Sequence, residues 1–243
     1  GASKLGESIS WDTFNNEIGQ KLEKIKSSNK QIVFLTQTFA SPSTSKLISE
    51  FKKSYGNVNH VVYDAISEST AADAYQALYG RRGLANYDFS KAKVIVSFGA
   101  DFLGDWQGGG FDAAYAKGRV PRNGKMSRHI QFESNMTLSG ANADKRIPVK
   151  PSQQKRALAR LYARLTGEFV NVTLPPTIES AVDSAAKELL NAGPGAVVLT
   201  GVQDVNSQSL VLRINTLLRS KVFDPKTTIL TRQGNDAAVT KLV

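Results

Sequence analysis

The chain has 243 residues, a net charge of +10 and no cysteine. That length suits one large domain or two small ones, each with its own core. The missing cysteine excludes disulfides, thiolate zinc sites and iron–sulfur ligation within these residues, and no apolar run nears the roughly 20 residues of a membrane-spanning helix, so no direct membrane insertion is expected.

In chain order, Gly1-Ala2-Ser3 reads as a cloning remnant and the abrupt end at Lys241-Leu242-Val243 adds to the expectation of an excised fragment. Ser10 is an N-cap for a helix carrying Trp11, Phe14, Ile18, Leu22 and Ile25. Residues 31–36, QIVFLT, read as a buried strand. A helix over 43–55 turns Leu47, Ile48 and Phe51 inward, a strand follows at 60–64, and a helix over 70–79 ends at the C-cap Gly80. Asn86-Tyr87-Asp88 reads as a loop, VIVSF (94–98) as a strand, and 99–124 as a glycine-rich loop with one helix near 112–117. Strands at 128–133 and 146–150 come next, then a basic helix, a break at Leu174-Pro175-Pro176 and a second helix from Thr177. A strand at 196–201, a helix at 210–218 and a final strand at 227–231 complete the pattern. The alternation predicts an α/β fold with doubly wound parallel sheets.

The charge is concentrated. Between Lys117 and Leu165 lie twelve Lys/Arg against Glu133 and Asp144, so the rest of the chain is neutral. Arg156, Arg160 and Arg164 recur every four residues opposite Leu158, Leu161, Tyr162 and Leu165. They read first as a solvated helix face, and second as a docking surface for an acidic partner. Interleaved aromatics or a reading motif for nucleic acid are missing, and no nucleic-acid partner is expected. His60 and His129 fall in separate strands and read as packed or surface histidines; no metal site is expected.

In open parallel sheets ligands sit outside the carboxyl ends of strands. Gly99, directly after VIVSF, would let a phosphate approach the backbone, and Glu133, at the end of RHIQFE, could accept from ribose hydroxyls. Gly108 to Ala113 formally matches GxGxxA but lies well past its strand, where a flexible glycine loop is the simpler reading. No nucleophile elbow, Walker loop, HExxH or paired-carboxylate helix occurs, so no catalytic residue is assigned.

Several short motifs carry a resemblance. Ile9-Ser-Trp-Asp12, Gly99-Ala-Asp-Phe102, Phe132-Glu-Ser-Asn135, Thr137 with Ala143-Asp144, Pro151-Ser-Gln-Gln154 and Arg232-Gln-Gly-Asn235 together resemble the molybdopterin oxidoreductases of the dimethyl sulfoxide reductase type, and within them the B subunits of bacterial alternative complex III, a quinol:cytochrome c oxidoreductase. The resemblance implies two Rossmann-like doubly wound parallel-sheet domains, one discontinuous over 1–84 and 169–243, the other, 85–168, inserted in it. It also implies a cofactor site at Ser67, Gly99, Asp101, Glu133, Asn135 and Gln154. Departures there make that site vestigial: Gln154 lacks the carboxylate that would grip guanine, Asp101 would repel a pyrophosphate, and Asn135 removes a cation. Ser67 stands near the family's metal ligand, and reads first as a turn or helix-start serine before Thr70.

The function so expected is a cofactor-free structural domain of a respiratory quinol oxidoreductase subunit. Iron–sulfur clusters would lie elsewhere in a parent chain, and no molybdopterin is expected here. Its partners would be other subunits of a membrane-bound respiratory complex, met through Arg156, Arg160 and Arg164, on the periplasmic face of the bacterial inner membrane. The alternative is an active domain binding molybdopterin guanine dinucleotide.

Overall fold

The structure, a computed structural model, describes residues 1–121 and 123–243. Its elements run β1 (Ala2–Lys4), β2 (Glu7–Ile9), α1 (Trp11–Ser27), β3 (Ile32–Thr36), α2 (Pro42–Tyr55), β4 (Val58–Val62), α3 (Ser69–Tyr79), β5 (Leu84–Tyr87), β6 (Val94–Phe98), α4 (Asp112–Gly118), β7 (Arg128–Glu133), α5 (Leu138–Ala141), β8 (Lys145–Pro148), α6 (Pro151–Thr166), α7 (Pro176–Ala192), β9 (Ala196–Thr200), α8 (Val205–Leu217), β10 (Phe223–Ile229) and α9 (Asp236–Leu242). The α/β class expected from the sequence is what the chain adopts.

Two compact units divide the chain: Gly1–Ala65 with Gly234–Val243, and Ile66–Gln233. These bounds differ from the expected 1–84 with 169–243 and 85–168. The reason is strand pairing: β9 lies in register beside β6, Val94 opposite Ala196 through Phe98 opposite Thr200. That ladder ties the segments around 94 and 196 into one core.

The larger unit is built on a four-stranded parallel sheet in the order β8-β7-β6-β9. All five residues of β9 are buried although it ends the sheet, because side chains cover both of its faces. Alternate side chains feed two cores. Val96, Phe98, Ile130, Phe132 and Val198 pack with Leu158 and Leu161 of α6 and Val182 and Leu189 of α7. Ile95, Val197 and Leu199 pack with Tyr75 of α3, Phe89, Phe102, Trp106, Phe111 and Tyr115. α3 stops where Gly80 adopts the left-handed φ of 77° that releases a helix end, as expected.

Of the expected loop at 86–88, Asn86 and Tyr87 instead belong to a strand: β5 pairs antiparallel with β10, Phe223 opposite Tyr87 and Ile229 opposite Leu84. The expected final strand therefore sits in this separate ribbon, outside the parallel sheet. The ribbon packs into the core through Ala85, Tyr87 and Phe223, with the buried Tyr87 ring against Trp106.

The smaller unit pairs β1 with β2 antiparallel and β3 with β4 parallel. Ala2 and Ser3, expected as a disposable remnant, thus belong to a strand. Neither α1 nor α2 buries a residue completely. Leu47, expected inward, is 65% exposed, and β3, expected buried, is only half-buried with Leu35 56% exposed. Asp64 is the anchor of this unit: its carboxylate accepts from Thr38 N at 2.8 Å, Thr38 Oγ1 at 2.6 Å and Gly234 N at 2.8 Å.

Candidate functional site

The chain runs outward from β6 through β7 to β8, then returns to the other side of β6 as β9. The switch point between β6 and β9 is where such sheets receive ligands. Here the two strands end at Gly99 and Gly201, whose backbones touch. Gly201 N donates to Phe98 O at 2.9 Å, and a Cβ on Gly201 would collide with the carbonyl of Gly99. Gly99 has a positive φ, 70°, and the space beside its Cα is taken by Gln154, whose Oε1 would lie 2.6 Å from a Cβ there. Gln154 Nε2 donates to Ser134 Oγ at 3.0 Å, which fixes the carboxamide across the strand ends. Trp106 Nε1 and Gln208 Nε2 donate to Thr200 O, at 3.2 and 3.3 Å.

Glu133, the expected ribose acceptor, is 1% exposed and committed inward. Its carboxylate accepts from Arg146 Nε at 2.5 Å, Thr137 Oγ1 at 2.7 Å, Thr137 N at 3.3 Å and Gln131 Nε2 at 3.3 Å. Gly140 of α5 lies so close to this carboxylate that a Cβ would overlap it. The charge is buried because it is paired and saturated with donors.

Glu133 ends a row that the strand period creates. His129, Gln131 and Glu133 alternate on one face of β7, all buried. Gln131 Nε2 also donates to Ala100 O at 3.2 Å, so its Oε1 faces His129 Nε2 at 3.1 Å and receives that proton. His129 Nδ1 then faces the hydroxyl of Tyr115 at 3.3 Å. Burial pushes the imidazole down to about 4, against the pull of the Gln131 hydrogen bond. The polar residues at alternate positions of RHIQFE are the sequence signal for this row.

Asp101 accepts from Ser139 N at 2.8 Å in the first turn of α5, where backbone donors favour a carboxylate. Asn135 is exposed, one residue beyond the Gln154–Ser134 contact. Ser67 is half-buried, two residues before α3 begins, and its Oγ accepts from Ser69 N at 3.1 Å. The structure thus gathers Gly99, Asp101, Glu133 and Gln154 around the carboxyl ends of β6 and β7. Glu68, missed by sequence reasoning, is buried: it accepts from Gln107 N at 3.2 Å and Gln203 Nε2 at 3.4 Å. Burial drives its pKa up against those bonds, and no local sequence pattern marks it. Among the described residues no cluster of three or more metal-ligating side chains occurs.

The basic helix face is largely spoken for. Arg160 pairs with Glu179 at 2.9 Å, and Arg164 with Glu179 and Asp183 at 2.9 and 2.6 Å, tying α6 to α7. Arg156 alone of the three is exposed without an ion pair among the described residues. We expect Arg164→Glu to cost about 1 kcal/mol by turning attraction into repulsion, and Arg156→Glu to stay within about 0.5 kcal/mol. Urea unfolding followed by circular dichroism checks both, and equal costs would remove the distinction.

Among the described residues no helix is long and apolar enough to cross a membrane. No protein-family model matches the chain, and no curated protein matches it. Among solved structures it is similar to a chain of the formyltransferase/hydrolase complex FhcABCD of Methylorubrum extorquens, determined in complex with methylofuran, at 14% identity and a TM-score of 0.59. The likeness covers 88% of this chain and 56% of that one, so the chain spans a little over half the length of its neighbour. At this identity the likeness speaks for the Rossmann-like α/β fold, and the neighbour is one chain of a multi-subunit complex. These findings correct the resemblance to molybdopterin oxidoreductases and to alternative complex III: no family model carries it, and the neighbour is a formyltransferase/hydrolase chain. The motifs behind it are short, and Asp101, Glu133 and Gln154 have internal partners that account for them. The membrane-complex location on the periplasmic face rested on that resemblance and is withdrawn with it.

Proposed function

We propose that this chain is a structural α/β module of a larger multi-subunit assembly, contributing shape and surface and binding no nucleotide cofactor at its sheet. The observation that carries this reading is the filled switch point: Gln154 lies against Gly99, Gly201 touches Gly99, and Glu133 spends its carboxylate on Arg146, Thr137 and Gln131. A dinucleotide site needs these same features turned outward, with open backbone at the first glycine and a free acid to hold a ribose. The fold's kinship to one chain of a multi-subunit complex is in keeping with the reading. Isothermal titration of the chain with GDP, ATP and NAD is expected to give no binding heat. Saturable heat with any of them, abolished by Glu133→Gln, would overturn the proposal.

A further inference from the structure

The smaller unit contains a sheet that is unfinished on one side. A parallel pair is normally buried within a larger sheet, yet among the described residues β3 pairs only with β4. Ile32 N donates to Asn57 O at 3.0 Å and Thr36 O accepts from Tyr63 N at 2.8 Å, so Ile32, Phe34 and Thr36 turn their backbone groups toward β4. By the alternation of a strand, Val33 and Leu35 direct theirs to the opposite edge. That edge bears no charge or proline from Gln31 to Thr38, the residues with which edge strands usually discourage pairing. The outer edge of β4 is different: Asn235 N donates to Val62 O at 2.9 Å and closes its end.

We infer that the free edge of β3 pairs antiparallel with β3 of a second copy of this chain, joining two β3–β4 pairs into one sheet across a two-fold axis. The argument is self-complementarity. With Phe34 opposite its own counterpart, Val33 faces Leu35 of the second copy, and their outward N–H and C=O groups satisfy one another as a hydrogen-bonded pair. Ile32 then faces Thr36, Gln31 faces Gln37 and Lys30 faces Thr38, so no like charges meet. Phe34, in contact with Phe51 at 4.9 Å between ring centroids, falls at a non-hydrogen-bonded position, where cross-strand aromatic pairs are favourable. The pairing also covers Leu35, whose large apolar side chain is otherwise 56% exposed.

Sedimentation equilibrium of the full chain over micromolar concentrations tests this. The wild type is expected to approach twice its monomer mass. Leu35→Lys, at an exposed site, and Val33→Pro, which removes an N–H that β4 does not use, are expected to weaken the dimer by about tenfold or more. Circular dichroism establishes that both variants remain folded. Because the chain lacks cysteine, Phe34→Cys gives an independent reading of the register. Oxidation should yield a disulfide-linked dimer from that variant and not from Leu47→Cys on α2. A monomeric wild type overturns the inference, as does a dimer indifferent to Leu35→Lys and Val33→Pro.

Discussion

Replacing Glu133 with alanine is expected to lower the stability of the larger unit by about 3–5 kcal/mol, because it strands the groups that a buried carboxylate holds together. The loss falls on four donors at once: Arg146 Nε, the hydroxyl and amide of Thr137, and Gln131 Nε2. Arg146 retains some solvent, its side chain being 26% exposed, which tempers the penalty on that partner. Thr137 is half-buried and Gln131, though buried, keeps Ala100 O as an acceptor, so the stranded contacts are partly offset, while α5 loses the anchor against which Gly140 packs. At about 2–4 °C per kcal/mol for a unit of this size, the melting temperature should fall by roughly 10 °C. Asn135→Ala, two residues along and exposed, should stay within about 0.5 kcal/mol. Scanning calorimetry of both variants separates two roles for this end of β7. A carboxylate poised for a ligand would be removable at little cost, and a small loss for Glu133→Ala would mean that the inward hydrogen bonds are dispensable.

Stability should fall as the pH is lowered from about 6.5 to about 4, with His129 as the cause. Burial holds its imidazole at about 4 in the folded chain, while an unfolded histidine titrates near 6.5. Between those values the unfolded state binds more protons than the folded one, so stability rises with pH across the window. The contribution is complete above about 6.5 and lost by about pH 4, with a span of roughly 3 kcal/mol. His60 is also lowered by burial and adds a change of the same sign in the other unit. Glu68, raised by burial, adds one of opposite sign, since its favourable contribution fades as it ionises. The difference between wild type and His129→Asn isolates the histidine. Urea titrations at pH 7 and pH 5 are expected to show a smaller pH dependence for the variant, at the expense of the Tyr115 and Gln131 contacts at both pH values. An identical dependence in the two proteins would remove His129 as its source.

Most of the framework was legible from local chemistry. VIVSF and AVVLT read as strands because a parallel sheet covered on both faces favours a nearly continuous apolar run, RHIQFE because Ile130 and Phe132 alternate with polar residues, and all three appear where the sequence places them. Ser10 caps α1 and Gly80 ends α3, since N-cap oxygens and left-handed glycines act within a few residues. The antiparallel β5–β10 ribbon was not legible, because Leu84–Tyr87 becomes a strand only by meeting a partner nearly 140 residues away. Nor were the unit boundaries, which depend on β9 choosing β6 as its neighbour.

The candidate site divides along the same line. The amino-acid sequence alone placed Gly99, Asp101 and Glu133 at or just beyond strand ends, and Gln154 shortly after a later one, because strand patterns are local. Only the tertiary structure decided which way those groups face. Glu133 turns inward because Thr137 and Arg146 are folded around it, and Gln154 reaches Gly99 because α6 starts beside Ser134. Arg160 and Arg164 form part of the bond between α6 and α7 because Glu179 and Asp183 lie across from them. A side chain's partners are set by packing between segments distant in sequence, and periodicity along one segment carries no record of them.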